Sequence, residues 1–119
     1  MSVHGSLTKL NYHSSFSKVL LEQRLYPLNK RTNDLAFIAF EEMTGEMELY
    51  YNYGRIKPLA YAGSLVSGEF HGSGTLYYPD GTVWSSGKWE NNRLVSGVVY
   101  RMDGSVVHSG RFKDGLPIR

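Results

Sequence analysis

Two consecutive stretches of the chain repeat each other at a fixed offset of 23 residues. Residues 74–96 align with residues 97–119 without a gap, and seven positions are identical. These are Gly74/Gly97, Tyr77/Tyr100, Asp80/Asp103, Gly81/Gly104, Val83/Val106, Ser86/Ser109 and Gly87/Gly110. A looser third copy precedes them, with Gly54 matching Gly81 and Gly68 matching Asn92. Because a repeated sequence of this length forms a repeated supersecondary unit, the period restricts the chain to a stacked-repeat architecture.

Each unit contains two turn signals separated by runs of β-forming residues. Asp80-Gly81 and Asp103-Gly104 predict two-residue type I′ hairpin turns. Asn91-Asn92 and Asp114-Gly115 provide the second turn of each unit. The runs between the turns include 75–78, 98–101 and 106–108, which are rich in valine and tyrosine. The sequence therefore predicts an antiparallel meander with two short strands per repeat.

Side chains alternate between the two faces of a strand, and this alternation separates an aromatic face from a polar one. One face carries Tyr77, Val83, Ser85, Gly87 and Trp89, followed in the next repeat by Tyr100, Val106, His108, Gly110 and Phe112. The other carries Trp84, Ser86, Lys88 and Glu90, followed by Val107, Ser109, Arg111 and Lys113. We expect the first face to be packed, with a ring lying over the bare backbone at Gly87 and Gly110.

The pattern Gly-x-x-Tyr-x-x-Asp-Gly, followed by Gly-(Lys/Arg)-(Trp/Phe), resembles the MORN repeat over roughly residues 45–116. The six-residue step from Gly81 to Gly87 and the Tyr77-Tyr78 pair look more like the bacterial, antitoxin-like variant of that repeat. The resemblance implies an elongated single-layer sheet of stacked antiparallel hairpins. It also implies roles in scaffolding and protein contact, with lipid binding in some members.

The first 45 residues do not repeat, and we expect them to cap the array; the alternative is that their helix is a docking element for a partner. Ser14-Ser15 followed by Phe16, Val19 and Leu20 predicts an amphipathic α-helix from about residue 15 to residue 25. The uncharged run 35–40 predicts a strand that is buried in this chain or against a second copy, and Thr44-Gly45 predicts a turn into a further hairpin strand at 46–51. The predicted fold is mainly β: an N-terminal helix-plus-strand cap over residues 1–45, then one degenerate and two clear repeats over residues 46–119.

Composition excludes several classes of protein. The chain of 119 residues is short enough for one domain, and it contains no cysteine for disulfides or thiolate metal sites. Its net charge of +2 is too small to indicate nucleic-acid binding by itself. No run of residues approaches the length of a membrane span, and the first residues do not resemble a signal peptide. We therefore expect a cytoplasmic location.

No arrangement of residues in the sequence indicates catalysis. The four histidines, His4, His13, His71 and His108, do not have metal-site spacing. The glycine cluster at 68–74 lacks the lysine that ends a phosphate-binding loop, and it falls where the repeat needs a turn. We expect a non-enzymatic protein without metal or cofactor.

The candidate binding residues are Trp84, Lys88, Arg101, Arg111 and Lys113. Trp84 interrupts an otherwise polar face, so it is either an exposed interface anchor or a packing site for the N-terminal helix. The four cations give the last two repeats a positive bias.

Three functions fit these features: a protein-binding adaptor, an inhibitor or antitoxin-type protein that neutralises an effector, or a module that binds anionic lipid or single-stranded nucleic acid. We expect the first, with another protein as partner. Because a single-layer sheet has two edges that can pair with another chain, we also expect a homodimer.

Overall fold

The computed structural model describes residues 25–113 and 116–118. They form one seven-stranded antiparallel sheet and a separate two-stranded hairpin. The hairpin comprises β1 (Leu28–Asn29) and β2 (Asp34–Leu35). The sheet comprises β3 (Gly45–Tyr50), β4 (Leu59–Val66), β5 (Glu69–Tyr77), β6 (Val83–Glu90), β7 (Arg93–Tyr100), β8 (Val106–Lys113) and β9 (Leu116–Pro117). Its strands lie side by side in chain order, so the prediction of a mainly β sheet of antiparallel hairpins is confirmed.

Of the predictions for the N-terminal residues, one falls mostly outside the described residues and one is wrong. The predicted helix at 15–25 falls almost entirely outside the described residues, which contain no α-helix and one 3-10 turn at Phe40–Glu42. The predicted strand at 35–40 is wrong, because β2 ends at Leu35 and residues 36–39 are irregular. Its burial is partial: Leu35 and Ile38 pack inward, whereas Phe37 is 72% exposed. The strand that follows Thr44 is β3, and it pairs with β4.

The Asp-Gly turns also differ from the prediction. Gly81 has φ of 94°, but Asp80 is not among the residues with positive φ, so the turn is not type I′. Gly81 N–H donates to Tyr78 C=O, and Tyr78 N–H donates to Thr82 C=O. This is a three-residue loop with a glycine bulge, in which Pro79, with its fixed negative φ, occupies the first central position. Arg101 to Ser105 repeats the same hydrogen bonds.

The two-residue turns with positive φ at both central positions lie at the opposite end of the strands. They are Ser67-Gly68 (φ 49° and 80°) and Asn91-Asn92 (φ 49° and 66°). Asn92 also ties its turn to the preceding unit, because its Oδ1 accepts the Phe70 N–H at 2.8 Å and its own N–H donates to Phe70 C=O at 3.1 Å. Asparagine therefore serves both as a residue that tolerates positive φ and as a side-chain acceptor.

We expect Asp80→Ala to destabilise the protein by about 1 kcal/mol at neutral pH, a figure reduced for solvent exposure. Thr82 donates to Asp80 Oδ1 from its hydroxyl at 2.6 Å and from its N–H at 2.9 Å. Both hydrogen bonds lower the pKa of the Asp80 carboxyl below its usual value, and the bond from the Thr82 hydroxyl has the larger effect. The stabilisation is therefore complete above about pH 4 and is lost as the pH falls through the lowered pKa. Urea unfolding should show a smaller difference in the free energy of unfolding between the wild type and Asp80→Ala at pH 3 than at pH 7. An equal difference at both pH values would contradict this cause.

One row of glycines crosses the sheet at right angles to the strands. Pairing joins Gly63 to Gly74, Gly74 to Gly87, Gly87 to Gly97, and Gly97 to Gly110. At Gly74 a Cβ atom would lie 2.0 Å from the Tyr61 hydroxyl, so the missing side chain leaves room for that ring. At Gly87 a Cβ would lie 2.1 Å from the Ser96 carbonyl oxygen, so the nearest neighbour is the backbone of the paired strand and not the ring that was predicted there. The row thus allows both ring-on-backbone packing and close backbone approach.

The buried face of the sheet is built around aromatic rings. Tyr61 and Phe70 stack with ring centroids 3.7 Å apart, and Trp89 meets Phe70 edge-on at 5.2 Å. Trp89 Nε1 donates to the Gly74 carbonyl at 3.0 Å, so its one polar atom is satisfied. Ser85, Trp89 and Phe112, which the sequence placed on the packed face, are all buried.

Candidate binding surface

Trp84 is fully buried, so the interpretation of this residue as an exposed anchor is wrong. Tyr78 stacks on it with ring centroids 4.8 Å apart and planes 10° apart. Tyr78 in turn is held by its hydroxyl, which donates to the Tyr100 carbonyl at 2.8 Å. The pairing of β5 with β6 is irregular here, because Leu76 pairs with Ser85 and Tyr77 pairs with Val83. Trp84 is therefore an extra residue in a β-bulge, and its side chain joins the buried core. The prediction that Trp84 lies on the polar face is wrong, because strict alternation does not anticipate the bulge.

Opposite the aromatic core, the strands present a face of small and polar side chains, which we call the outer face. Pairing arranges two rows on it, one on each side of the glycine row. The first row consists of Thr75, Ser86, Val98 and Ser109. The second row consists of Ser73, Lys88, Ser96 and Arg111. No ring lies in either row, so this part of the sheet presents hydroxyls, methyls and two cations to its surroundings.

The structure brings three of the five predicted site residues together. Lys88 and Arg111 lie in the second row, two strands apart, and Lys113 follows Arg111 on the same face; all three are exposed. Arg101 lies elsewhere, in the loop at the far end of β7, roughly 16 Å along the strand from Ser96. Its guanidinium donates to Ser105 Oγ at 3.2 Å, which fits a role in holding that loop.

Charge is unevenly distributed over the outer face. Glu46 and Glu48 lie on β3, where Glu48 forms an ion pair with Lys30 at 3.5 Å, the one ion pair within residues 25–113 and 116–118. Burial and the hydrogen bond to Glu48 raise the pKa of Tyr50 on the same strand to about 12. Lys88 and Arg111 have no carboxylate partner among the described residues.

Sequence reasoning missed Ser73 and Ser96. Serine directly precedes a row glycine in four strands, as Ser73-Gly74, Ser86-Gly87, Ser96-Gly97 and Ser109-Gly110. Because neighbouring strands run in opposite directions, successive serines fall alternately in the second and the first row. The Ser-Gly dipeptide was the signal that could have placed both hydroxyl rows.

Polar atoms inside the core do not assemble a reaction site. Ser85 Oγ and His108 Nε2 are buried and have no hydrogen-bond partner in the part of the chain described. His108 packs edge-on against Phe112 at 4.9 Å, in agreement with its prediction as a packed residue. Across the described residues, no group of three or more acidic or histidine side chains is placed to hold a metal ion.

A second exposed area lies on the N-terminal segment. Phe37 and Phe40 both contact Tyr26, with ring centroids 4.9 and 5.5 Å apart. Glu41 and Glu42 follow directly and are exposed. This area is apolar with acidic neighbours, which distinguishes it from the part of the outer face that carries Lys88 and Arg111. A depression of about 610 Å³ between β1 and β3, lined in part by Lys30, Glu48 and Tyr50, lies near the same segment.

Comparison with known proteins identifies the repeat. The family model of the MORN repeat matches residues 61–83, so this part of the chain is similar to a MORN repeat. The match covers β4, β5 and the loop that follows, a window that joins the looser copy to the first clear one. No similar protein was found among curated proteins or among solved structures. MORN repeats are in general modules that bind proteins or membrane lipids and are not enzymes.

Within the described residues, no helix has the length and apolar character needed to cross a bilayer.

Proposed function

We propose that this chain is a non-enzymatic module that binds another protein through the outer face of its sheet. One observation carries the proposal. The aromatic side chains are buried in the core of the chain, while the opposite face carries two rows of small polar side chains, with cations that form no ion pair with a described carboxylate. A flat surface of hydroxyls with a few charges suits a polar protein interface, in which hydrogen bonds and charge pairs set orientation.

The alternatives are less well supported by the same surface. An anionic bilayer favours a continuous basic face with apolar side chains for insertion. Here Glu90 lies two residues from Lys88 on the same face, and Val98 in the first row is half-buried. An inhibitor or antitoxin-type role is a special case of protein binding, and it would be decided by the identity of the partner.

Site-specific photocrosslinking tests the proposal. Benzoylphenylalanine placed at Ser109 lies on the outer face, whereas the same residue at Arg55 lies in an exposed turn away from it. Each variant is irradiated in lysate of the source cells, and adducts are identified by mass spectrometry. We expect an adduct with one protein from position 109 that is absent from position 55, is competed by excess wild-type chain, and forms again with the purified partner.

Two outcomes would refute the proposal. Adducts that are the same from both positions would show that the outer face has no special role. Absence of any adduct from position 109, with wild-type stability of the variant, would remove the outer face as the binding surface.

A further inference from the structure

The geometry points to a phosphate site on the outer face: we propose that Lys88, Ser96 and Arg111 bind a phosphate monoester, a phosphoserine or phosphothreonine carried by the partner protein. This inference rests on the proposed function and specifies the chemistry of the partner. It starts from the register, because Lys88 pairs with Ser96 and Ser96 pairs with Arg111. The three side chains therefore lie in one line on one face.

The spacing suits a single anion. Lys88 and Arg111 are two strands apart, so their Cα atoms are separated by about 9.5 Å with Ser96 midway. Both cations are long and exposed, and Ser96 is short and half-buried. An anion seated above the Ser96 hydroxyl is within reach of an ammonium group from one side and a guanidinium group from the other.

A phosphate monoester matches these three donors better than a carboxylate does. It carries a charge of about −1.5 to −2 at pH 7 and three acceptor oxygens, so it can neutralise two cations and accept from all three groups. A carboxylate satisfies one guanidinium by a two-pronged contact and leaves the second cation without a partner. Neither cation is neutralised by a described carboxylate.

The same surface favours one discrete phosphate over a membrane. Glu90 lies beside Lys88, and its strand partner in the sheet is Arg93, so the neighbouring row contains both charges. A bilayer with anionic headgroups would place further negative charge next to Glu90, whereas a single phosphate over Ser96 would not. A phosphorylated segment of a protein delivers a phosphate in isolation.

An NMR titration of the whole chain tests the site, with N-acetyl-phosphoserine amide as the probe. We expect saturable shifts of the backbone amides of Lys88, Ser96 and Arg111, with a dissociation constant on the order of 1 mM. Each of Lys88→Gln and Arg111→Gln should weaken binding about tenfold, as expected for loss of one charge-assisted contact. Arg55→Gln, which removes the same charge from a distant turn, should leave binding unchanged. Binding should also weaken below about pH 6, where the phosphate takes up its second proton.

Several results would overturn the inference. They are shifts equal in size with N-acetyl-aspartate amide, shifts that persist in the Lys88→Gln/Arg111→Gln variant, or association with phosphatidylserine vesicles without any response to the phosphoserine probe. The photocrosslink from position 109 separates this failure from failure of the proposed function. If the partner still forms the crosslink while the phosphoserine probe has no effect, the module binds protein and the phosphate site is wrong.

Discussion

Trp84→Ala is expected to lower the free energy of unfolding by about 3–5 kcal/mol. The indole is fully buried, and the variant would lose both its contact with the Tyr78 ring and the packing of the residues around it. That loss is a large part of the 5–15 kcal/mol that stabilises an ordinary domain. Urea unfolding followed by circular dichroism measures it directly.

Two further variants test the cause of this loss. Trp84→Phe keeps an aromatic ring against Tyr78 and should cost clearly less than alanine. Lys88→Ala on the outer face should change stability by no more than about 0.5 kcal/mol, as surface substitutions usually do. An unchanged urea midpoint for Trp84→Ala, together with loss of the photocrosslinked partner, would show instead that the indole is part of the binding surface.

Gly87→Ala is expected to cost about 3 kcal/mol or more, because a close backbone contact and an unfavourable φ coincide there. The added Cβ would lie 2.1 Å from the Ser96 carbonyl oxygen and 2.6 Å from the Gly97 Cα, so two paired strands would have to separate. The φ of 152° is one that residues with a side chain rarely adopt. Thermal unfolding and the yield of folded protein both report the effect.

Gly104→Ala is the matched control for this substitution. Its φ of 90° is also unfavourable, but a Cβ there would meet no atom within 4 Å. It should therefore cost about 1–2 kcal/mol, the conformational part alone. Equal losses at the two positions would show that strand-to-strand contact across the glycine row does not matter.

The strand pattern and the buried face away from the β-bulges were predictable because they depend on local rules, whereas Trp84 and Val106 lie at bulges and were assigned to the wrong faces. A period of two places Ser85, Gly87 and Trp89 on one side of β6 wherever that strand lies in the sheet. The glycine row was visible as well, since Gly74, Gly87, Gly97 and Gly110 recur in the aligned copies. The turn at Asn91-Asn92 follows from residues that tolerate positive φ. The prediction that the glycine cluster at 68–74 is a turn is wrong, because β5 begins at Glu69 and only Gly68 of the cluster lies in the turn.

What could not be predicted depends on contacts between segments. Nothing in the sequence around Trp84 shows that the Tyr78 ring would cover it, because a two-residue turn and a three-residue loop both fit Tyr78-Pro79-Asp80-Gly81 and lead the chain differently. Phe37 illustrates the opposite error, since an apolar run predicts burial while the structure leaves that ring 72% exposed. Ser96 joined the candidate site only through its register with Lys88 and Arg111.

The side chains in the two rows of the outer face also recur at a regular spacing across the sheet. Each 23-residue unit contributes two strands. Equivalent hydroxyl and cationic residues of successive units are therefore about 9.5 Å apart. A duplication of residues 74–96 would add one more interval without disturbing the others, because each hairpin pairs only with its neighbours. The number of repeats therefore determines how long a stretch of a partner the outer face can contact.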